Sequence, residues 1–303
     1  MRGAIAIKRG HDDGASILVV IGKNTMSLTN KALFVIERNL THDLSLAEIA
    51  KRCDVSRFHL AHAFGEATGH SVMEYVRGRR LTEAAYALAA GAEDILGVAL
   101  DTGYASHEAF SRAFKAQFGA TPEDVRKSES VSGLKRLDAI RHLETKNMPL
   151  KEPRFEDVGE LLFVGLGERM AFGESQTIPN QWQRFMAGPY EEIEHKKPGI
   201  PVGVNCKGDD EGELLYVCAA EVTRFGKIPK GLMTVTAPPA RYAVFAHDGH
   251  VTTLTQTHAA IWNEWFAASG KTPAETPGFE RHNPTFDPRT GEGGVTIWIP
   301  IQE

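Results

Sequence analysis

Cysteine is scarce. The 303-residue chain has three, Cys53, Cys206 and Cys218, widely spaced and with no C-x-x-C among them. An odd, scattered set excludes a disulfide framework and a zinc site of the usual spacing, and it fits a reducing cytoplasm. Cys53 and Cys218 are expected to pack in cores. No run of about eighteen apolar residues occurs, so no membrane-spanning helix is expected. A nucleophile elbow, an H-E-x-x-H and a P-loop are also missing, which removes the common signatures of hydrolysis and nucleotide chemistry. No catalytic residue, metal or cofactor is assigned. The stretch from Met1 to Lys23 has an apolar patch, Ile17 to Ile21, behind His11, Asp12 and Asp13. No small-residue cleavage site follows it, so it reads as an extension and not a signal peptide.

The length suffices for two domains with separate cores. Formal net charge is −5, unevenly spread. Residues 30–128 carry 12 basic against 13 acidic side chains, and residues 149–303 carry 14 against 21. The acidic second half argues against nucleic-acid contact there and suits a cationic ligand.

Two stretches of the first half look alike. Leu46-Ala-Glu-Ile-Ala leads to Ser56-Arg-Phe-His-Leu-Ala-His-Ala-Phe64, and Ile95-Leu-Gly-Val-Ala leads to Ser106-His-Glu-Ala-Phe-Ser-Arg-Ala-Phe114. Each reads as a short helix, a tight turn and a second helix, the pattern of a helix-turn-helix. Ala50 and Ala99 supply the small residue where the two helices cross. Asp54 and Gly103 suit a turn with positive φ. Ser56 and Ser106 are N-caps, and Ser45 with Glu48 forms a capping box. Phe64 and Phe114 anchor the second helices. Between the units, Val72, Tyr75, Val76, Leu81, Ala84, Ala85 and Leu88 mark a long helix from Ser71 to about Ala90, weakened by Gly78. Arg57, Arg77, Arg79, Arg80, Arg112 and Lys115 fall near the proposed recognition surfaces.

The run Gly69-His-Ser…Tyr75-Val-Arg77, Arg80-Leu-Thr-Glu-Ala-Ala85, Ile95…Ala99…Gly103-Tyr…Ser106…Phe110-Ser-Arg-Ala-Phe-Lys…Phe118-Gly-Ala-Thr-Pro122…Arg126 resembles the DNA-binding domain of the AraC/XylS family, in its MarA/Rob branch. The resemblance implies recognition helices Ser56–Glu66 and Ser106–Lys115 in the major groove. It implies DNA contact by Ser56, Arg57, Phe58, Ala61 and His62 in the first helix, and by Ser106, His107, Glu108, Ala109 and Arg112 in the second. The chain departs from that branch at Ala61 and Glu108, where the branch has Gln, and at His62, where it has Arg. Ala can meet only a thymine methyl and Glu can accept from cytosine, so the target site must differ.

From Lys151 aromatic and β-branched residues rise and Gly and Pro punctuate short runs. Expected strands are Leu161–Gly167, Ile200–Cys206, Leu214–Val222, Leu232–Thr236, Arg241–His247 and Val295–Ile301. Helices are expected over Ile178–Met186 and Val251–Ser269. The order suggests two related strand-helix-strand repeats in an α+β domain. Ile200-Pro-Val-Gly, Asp209-Asp-Glu-Gly-Glu213, Tyr216, Ala220-Glu-Val222, Tyr242-Ala-Val-Phe245, His247-Asp-Gly249, Trp262…Trp265, Phe279-Glu280 and Ile297-Trp-Ile-Pro-Ile301 resemble the GyrI-like effector-binding domain. That resemblance implies an aromatic-walled cleft for small, often cationic molecules. Its candidate walls are Trp182, Tyr216, Trp262, Trp265 and Trp298, with Glu221, Glu264 or Glu280 as the acid. Each Trp suits core packing equally well. Many relatives place an acid two positions before the last-strand aromatic; here Thr296 precedes Trp298, which opens the cleft to neutral ligands.

The expected architecture is two domains: an all-α double helix-turn-helix, then an α+β GyrI-like domain. Expected bounds are an extension over 1–29, the DNA-binding domain over 30–128, a linker over 129–148 and the effector-binding domain over 149–303. Leu134, Leu137, Ile140 and His142 could form a short helix in the linker. The expected function is a ligand-responsive transcriptional regulator with double-stranded DNA and a small-molecule effector as partners. It is expected in the cytoplasm, associated with the nucleoid through DNA, away from membranes and able to bind as a monomer. Contact with RNA polymerase stays open. The alternatives are a small-molecule hydrolase or a ligand-free scaffold in the second domain.

Overall fold

The computed structural model describes residues 26–140, 150–172, 177–206 and 214–302. The apolar patch at Ile17–Ile21, His142 and the Asp209–Glu213 motif lie outside the described residues. Seven helices come first: α1 (Leu28–Glu37), α2 (Leu46–Cys53), α3 (Arg57–Thr68), α4 (Val72–Ala89), α5 (Ile95–Asp101), α6 (His107–Phe118) and α7 (Pro122–Ser128). Their starts follow the caps read from sequence. The hydroxyls of Ser45, Ser56, Ser71 and Ser106 each accept an amide hydrogen bond from the first turn. Ser71 and Glu74 complete a capping box on α4. Both turns have a residue in the left-handed region, Asp54 at φ 63° and Gly103 at φ 82°.

The helix pairs pack in different apolar clusters, and that of the first pair continues into the second domain. Ile49, Ala50, Leu60 and Phe64 pack in one; Ala85, Ala99, Phe110 and Phe114 pack in the other. α4 crosses both. Gly78, which costs helix propensity, makes room there: the Leu137 side chain packs on it so closely that a Cβ would lie 2.7 Å from its Cδ2. Residues 134–140 run across α4 as irregular chain, where a short helix was expected. Their backbone is tied down by Arg79 donating to the Leu137 carbonyl and by Ile140 donating to the Tyr75 hydroxyl. Arg79 is buried and ion-paired to Glu37 and Glu83, and Arg80 donates to the carbonyls of Leu40 and His42. Both arginines hold the scaffold together instead of flanking a recognition surface.

The second half is an antiparallel sheet with β1 (Arg154–Val158), β2 (Leu161–Met170), β3 (Val202–Cys206), β4 (Leu214–Val222), β5 (Met233–Ala237), β6 (Ala240–His247), β7 (Thr272–Pro273), β8 (Gly278–His282) and β9 (Val295–Gln302). The order is β1-β6-β9-β8-β3-β4-β2-β5, with β7 on β9. One repeat joins the other where β8 pairs β3. α8 (Ile178–Met186) serves the first repeat. The second has α9 (Leu254–Ala260), a π turn (Ile261–Trp265) and α10 (Phe266–Ser269). Strands β1 and β8 escaped the sequence reading because Arg-Phe-Glu-Asp-Val and Gly-Phe-Glu-Arg-His are too short and charged to look like strands.

Candidate DNA-reading helices and ligand cleft

Helix α6 turns Phe110 and Phe114 into the core and leaves Glu108, Arg112 and Lys115 exposed at i, i+4 and i+7. Ser106, His107 and Ala109 are half-buried at its start. His107 Nε2 lies 3.1 Å from Glu123 Oε1. Backbone amides at the helix start and the Ser106 hydroxyl hold the Glu108 carboxyl below its ordinary range. The expected second recognition surface therefore faces outward, cationic at its far end and acidic at its near end.

Helix α3 is different. Arg57 and Ser56 are exposed, and Ala61 is half-buried. His62 was expected to face DNA, yet it is buried and stacked on Trp262 with ring centroids 4.4 Å apart and planes 11° apart. Phe58 meets His62 and Trp262 edge-on. The physical reason is composition. In α3 the outward positions Phe58, His62 and Gly65 are uncharged or small, so an apolar surface can cover them at low desolvation cost. The second domain supplies that surface with Trp262, Phe172 and Phe266.

The expected ligand residues fall into three places. Alternation along the strands puts Glu280, paired with Gly203 and Ile297, on the helix-covered face of the sheet. Tyr216 lies on the same face: its hydroxyl sits over Gly203, where a Cβ would come within 2.1 Å. Trp182, on α8, donates from Nε1 to the Tyr216 hydroxyl at 3.3 Å, and Tyr216 donates to Glu280 Oε2 at 3.4 Å. These three do meet. Glu221 and Trp298 point to the other face. There Glu221 pairs with Lys197 and Arg281, and Arg281 lies 5.0 Å over the Trp298 ring. Thr296 shares that face and accepts a hydrogen bond from Trp298 Nε1 at 3.0 Å, so it fixes the indole and stands away from Glu280. Trp262 and Trp265 belong to the core under the π turn, where Trp265 packs against Phe245 and Phe266. Glu264 is half-buried beside them, and burial pushes its carboxyl up.

Three residues around Glu280 were missed by the sequence reading: His258, Asn205 and Glu66. His258 Nε2 lies 2.9 Å from Glu280 Oε1, and the pair is nearly inaccessible, with side chains 10% and 12% exposed. Asn205 donates to the same carboxylate at 3.2 Å. Burial opposes charge on both members of the pair. Their mutual hydrogen bond and attraction outweigh it, so His258 rises and Glu280 falls from the ordinary values. The pair is thus a buried histidine–carboxylate hydrogen bond in which each group favours the charge of the other. Glu66, from α3, reaches the same cluster; burial raises its carboxyl, with His258 opposing. Its only sequence signal was an acid one turn after His62 on a helix otherwise read as DNA-facing. Among the described residues no group of histidines, cysteines and carboxylates has the geometry of a metal site.

Residues 151–302 match the GyrI-like small molecule binding domain, and residues 49–128 match a helix-turn-helix domain. The transcriptional regulator Rob of Salmonella typhimurium is 25% identical over 281 residues, spanning 89% of this chain and 96% of that one. The right origin-binding protein of Escherichia coli K12 is 27% identical over 283 residues, again 89% and 96%. The multiple antibiotic resistance protein MarA of Escherichia coli K12 is 34% identical over 121 residues, 40% of this chain and 95% of MarA.

Proposed function

This chain belongs to the AraC-type transcriptional regulators that carry a GyrI-like small molecule binding domain, and from that premise we propose how its residues divide the work. Helix α6 reads duplex DNA in the major groove through Ser106, His107, Glu108, Ala109 and Arg112, with Lys115 on phosphate. The observation that carries this reading is the exposed Glu108–Arg112–Lys115 row opposite the buried Phe110 and Phe114. Arg112 hydrogen-bonds guanine or phosphate, and Glu108 accepts from cytosine. Ser56, Arg57, Phe58, Ala61 and His62 form the corresponding face of α3. When the α3 face is free, two units on one chain reach neighbouring turns of the groove, so a monomer suffices. DNA binding carries the protein to the nucleoid.

The small molecule binds over Glu280, between α8 and α9. Trp182 and Tyr216 offer aromatic surface, and Asn205 and His258 hold the carboxylate. Because His258 and Asn205 already hydrogen-bond the Glu280 carboxylate, the cleft suits an aromatic ligand that donates hydrogen bonds as well as a cation. Selection of duplexes from a random pool with the full chain, then footprinting, tests the DNA reading. Arg112→Ala should weaken the selected site by about 1–3 kcal/mol. Wild-type affinity in that variant would remove α6 from DNA. A thermal-shift screen of neutral and cationic aromatics should find a stabiliser whose effect is lost in Glu280→Gln.

A further inference from the structure

The face of α3 that points away from its own core is already occupied. His62 stacks on Trp262. The Phe172 ring lies so close to Gly65 that a Cβ there would come within 2.1 Å of it. His59 Nε2 meets the Trp262 carbonyl at 2.9 Å. Asn263 donates from Nδ2 to the Ala63 carbonyl at 2.9 Å, and its Oδ1 accepts from the Thr29 amide at 3.1 Å. Asn263 is 2% exposed and sits in the π turn. A π turn displaces the register of a helix by one residue and recurs at functional sites. Here it directs Trp262 and Asn263 of one domain at α3 of the other.

We propose that this face of α3 serves two partners in turn, the second domain and duplex DNA, and that the two exclude each other. A helix whose Phe58 and His62 lie under Trp262 cannot also lie in a major groove with the same side chains. In the closed form the chain reads DNA through α6 alone; release of α3 adds the second contact. Helix α3 also packs on α9, whose His258 holds Glu280, so occupancy of the Glu280 site and freedom of α3 are coupled through one element. A ligand gains regulatory effect only to the extent that it prefers one of the two forms. This inference rests on the reading of α3 and α6 as DNA-reading helices.

The test uses the full chain and leaves α3 itself unaltered. Trp262→Ala removes the stacking partner. Asn263→Ala is the second change; it removes the donor to the Ala63 carbonyl and introduces no charge. Folding of each is checked by circular dichroism and thermal melting. Duplexes selected with the wild-type chain are then footprinted with all three proteins. The wild type should protect about one helical turn near threshold concentration, and folded variants about two, with affinity raised tenfold or more. Hydrogen exchange should show the backbone of residues 261–266 losing protection when α3 becomes protected by DNA. The inference is overturned if folded variants keep the wild-type footprint and affinity. It is equally overturned if DNA protects α3 while residues 261–266 stay protected. If instead Arg112→Ala leaves binding intact, the DNA reading itself has failed, which is a separate result.

Discussion

His62 lies flat against Trp262, two hundred residues away in the chain, with ring centroids 4.4 Å apart. One belongs to the first helix-turn-helix and the other to the sheet-bearing domain. The contact makes a shared core: Leu60 and Phe64 belong to the same cluster as Trp262, Phe266 and Ile297. Two halves that match separate families are therefore packed as neighbours, and a change at either end of this stack is felt in both.

The Gly65–Phe172 contact gives the sharpest steric test. Gly65→Ala places a methyl where the ring now sits, so the ring or the helix must move. Overpacking of this kind costs about 1–3 kcal/mol. The melting temperature should fall, and Phe172→Ala in the same chain should recover part of the loss. Equal melting of wild type and Gly65→Ala would show that the two domains do not meet there.

Acid should loosen the docked arrangement through His62. Burial holds this imidazole neutral, pushed down to about 3 from an ordinary 6.5, with His258 and His59 adding to the effect. Between those values the opened form binds the extra proton, so docking weakens as pH falls through that window. Glu66, with its raised carboxyl, takes up a proton in the docked form and opposes the loss, as does the raised His258. His62→Phe keeps an aromatic ring on Trp262 and removes only the titration. Melting temperature plotted against pH from 7 to 4 should fall less steeply in that variant; parallel curves would remove His62 from the acid response.

Glu280 and His258 depend on each other. Replacing one member of a buried pair leaves an uncompensated charge, typically about 3–5 kcal/mol of destabilisation. Glu280→Gln keeps a hydrogen-bond acceptor for His258 and should cost less than Glu280→Ala. Loss of the carboxylate should also drop the His258 titration below its present raised position, read by imidazole proton resonances. An unmoved His258 would show that its charge is set elsewhere.

Arg79 should behave as scaffold. Its guanidinium is 6% exposed, pairs with Glu37 and Glu83 and donates to the Leu137 carbonyl. Arg79→Ala should destabilise by about 1–3 kcal/mol, because the Leu137 carbonyl loses its donor and Glu37 is left with the Tyr75 hydroxyl. Unlike Arg112→Ala, it should leave base preference in a selection unchanged. Altered sequence preference at full stability would place Arg79 on DNA after all.

Much of the fold was legible because it is written locally. Ser45, Ser56, Ser71 and Ser106 mark helix starts by a hydrogen bond to an amide three residues on. Leu214–Val222 and Ile178–Met186 run as read from their periodicity. The aromatic site residues were less legible. Trp182, Tyr216, Trp262, Trp265 and Trp298 look alike in a list, but strand parity and helix placement send them to different surfaces. Of these, Tyr216 hydrogen-bonds Glu280, and Trp182 is linked to it through the Tyr216 hydroxyl.

By itself the sequence determined most helices and the longer strands, the N-caps, the left-handed turns at Asp54 and Gly103, the order of the two domains and the family each resembles. Those depend on neighbours within about one helical turn or one strand pair. The tertiary structure alone decided which face of α3 is free, and that Glu66 and His258 join Glu280. It also decided that Thr296 and Trp298 stand on the far side of the sheet. These outcomes come from contacts between segments up to about two hundred residues apart, and a side chain's partner across such a distance is set by packing that no local pattern encodes.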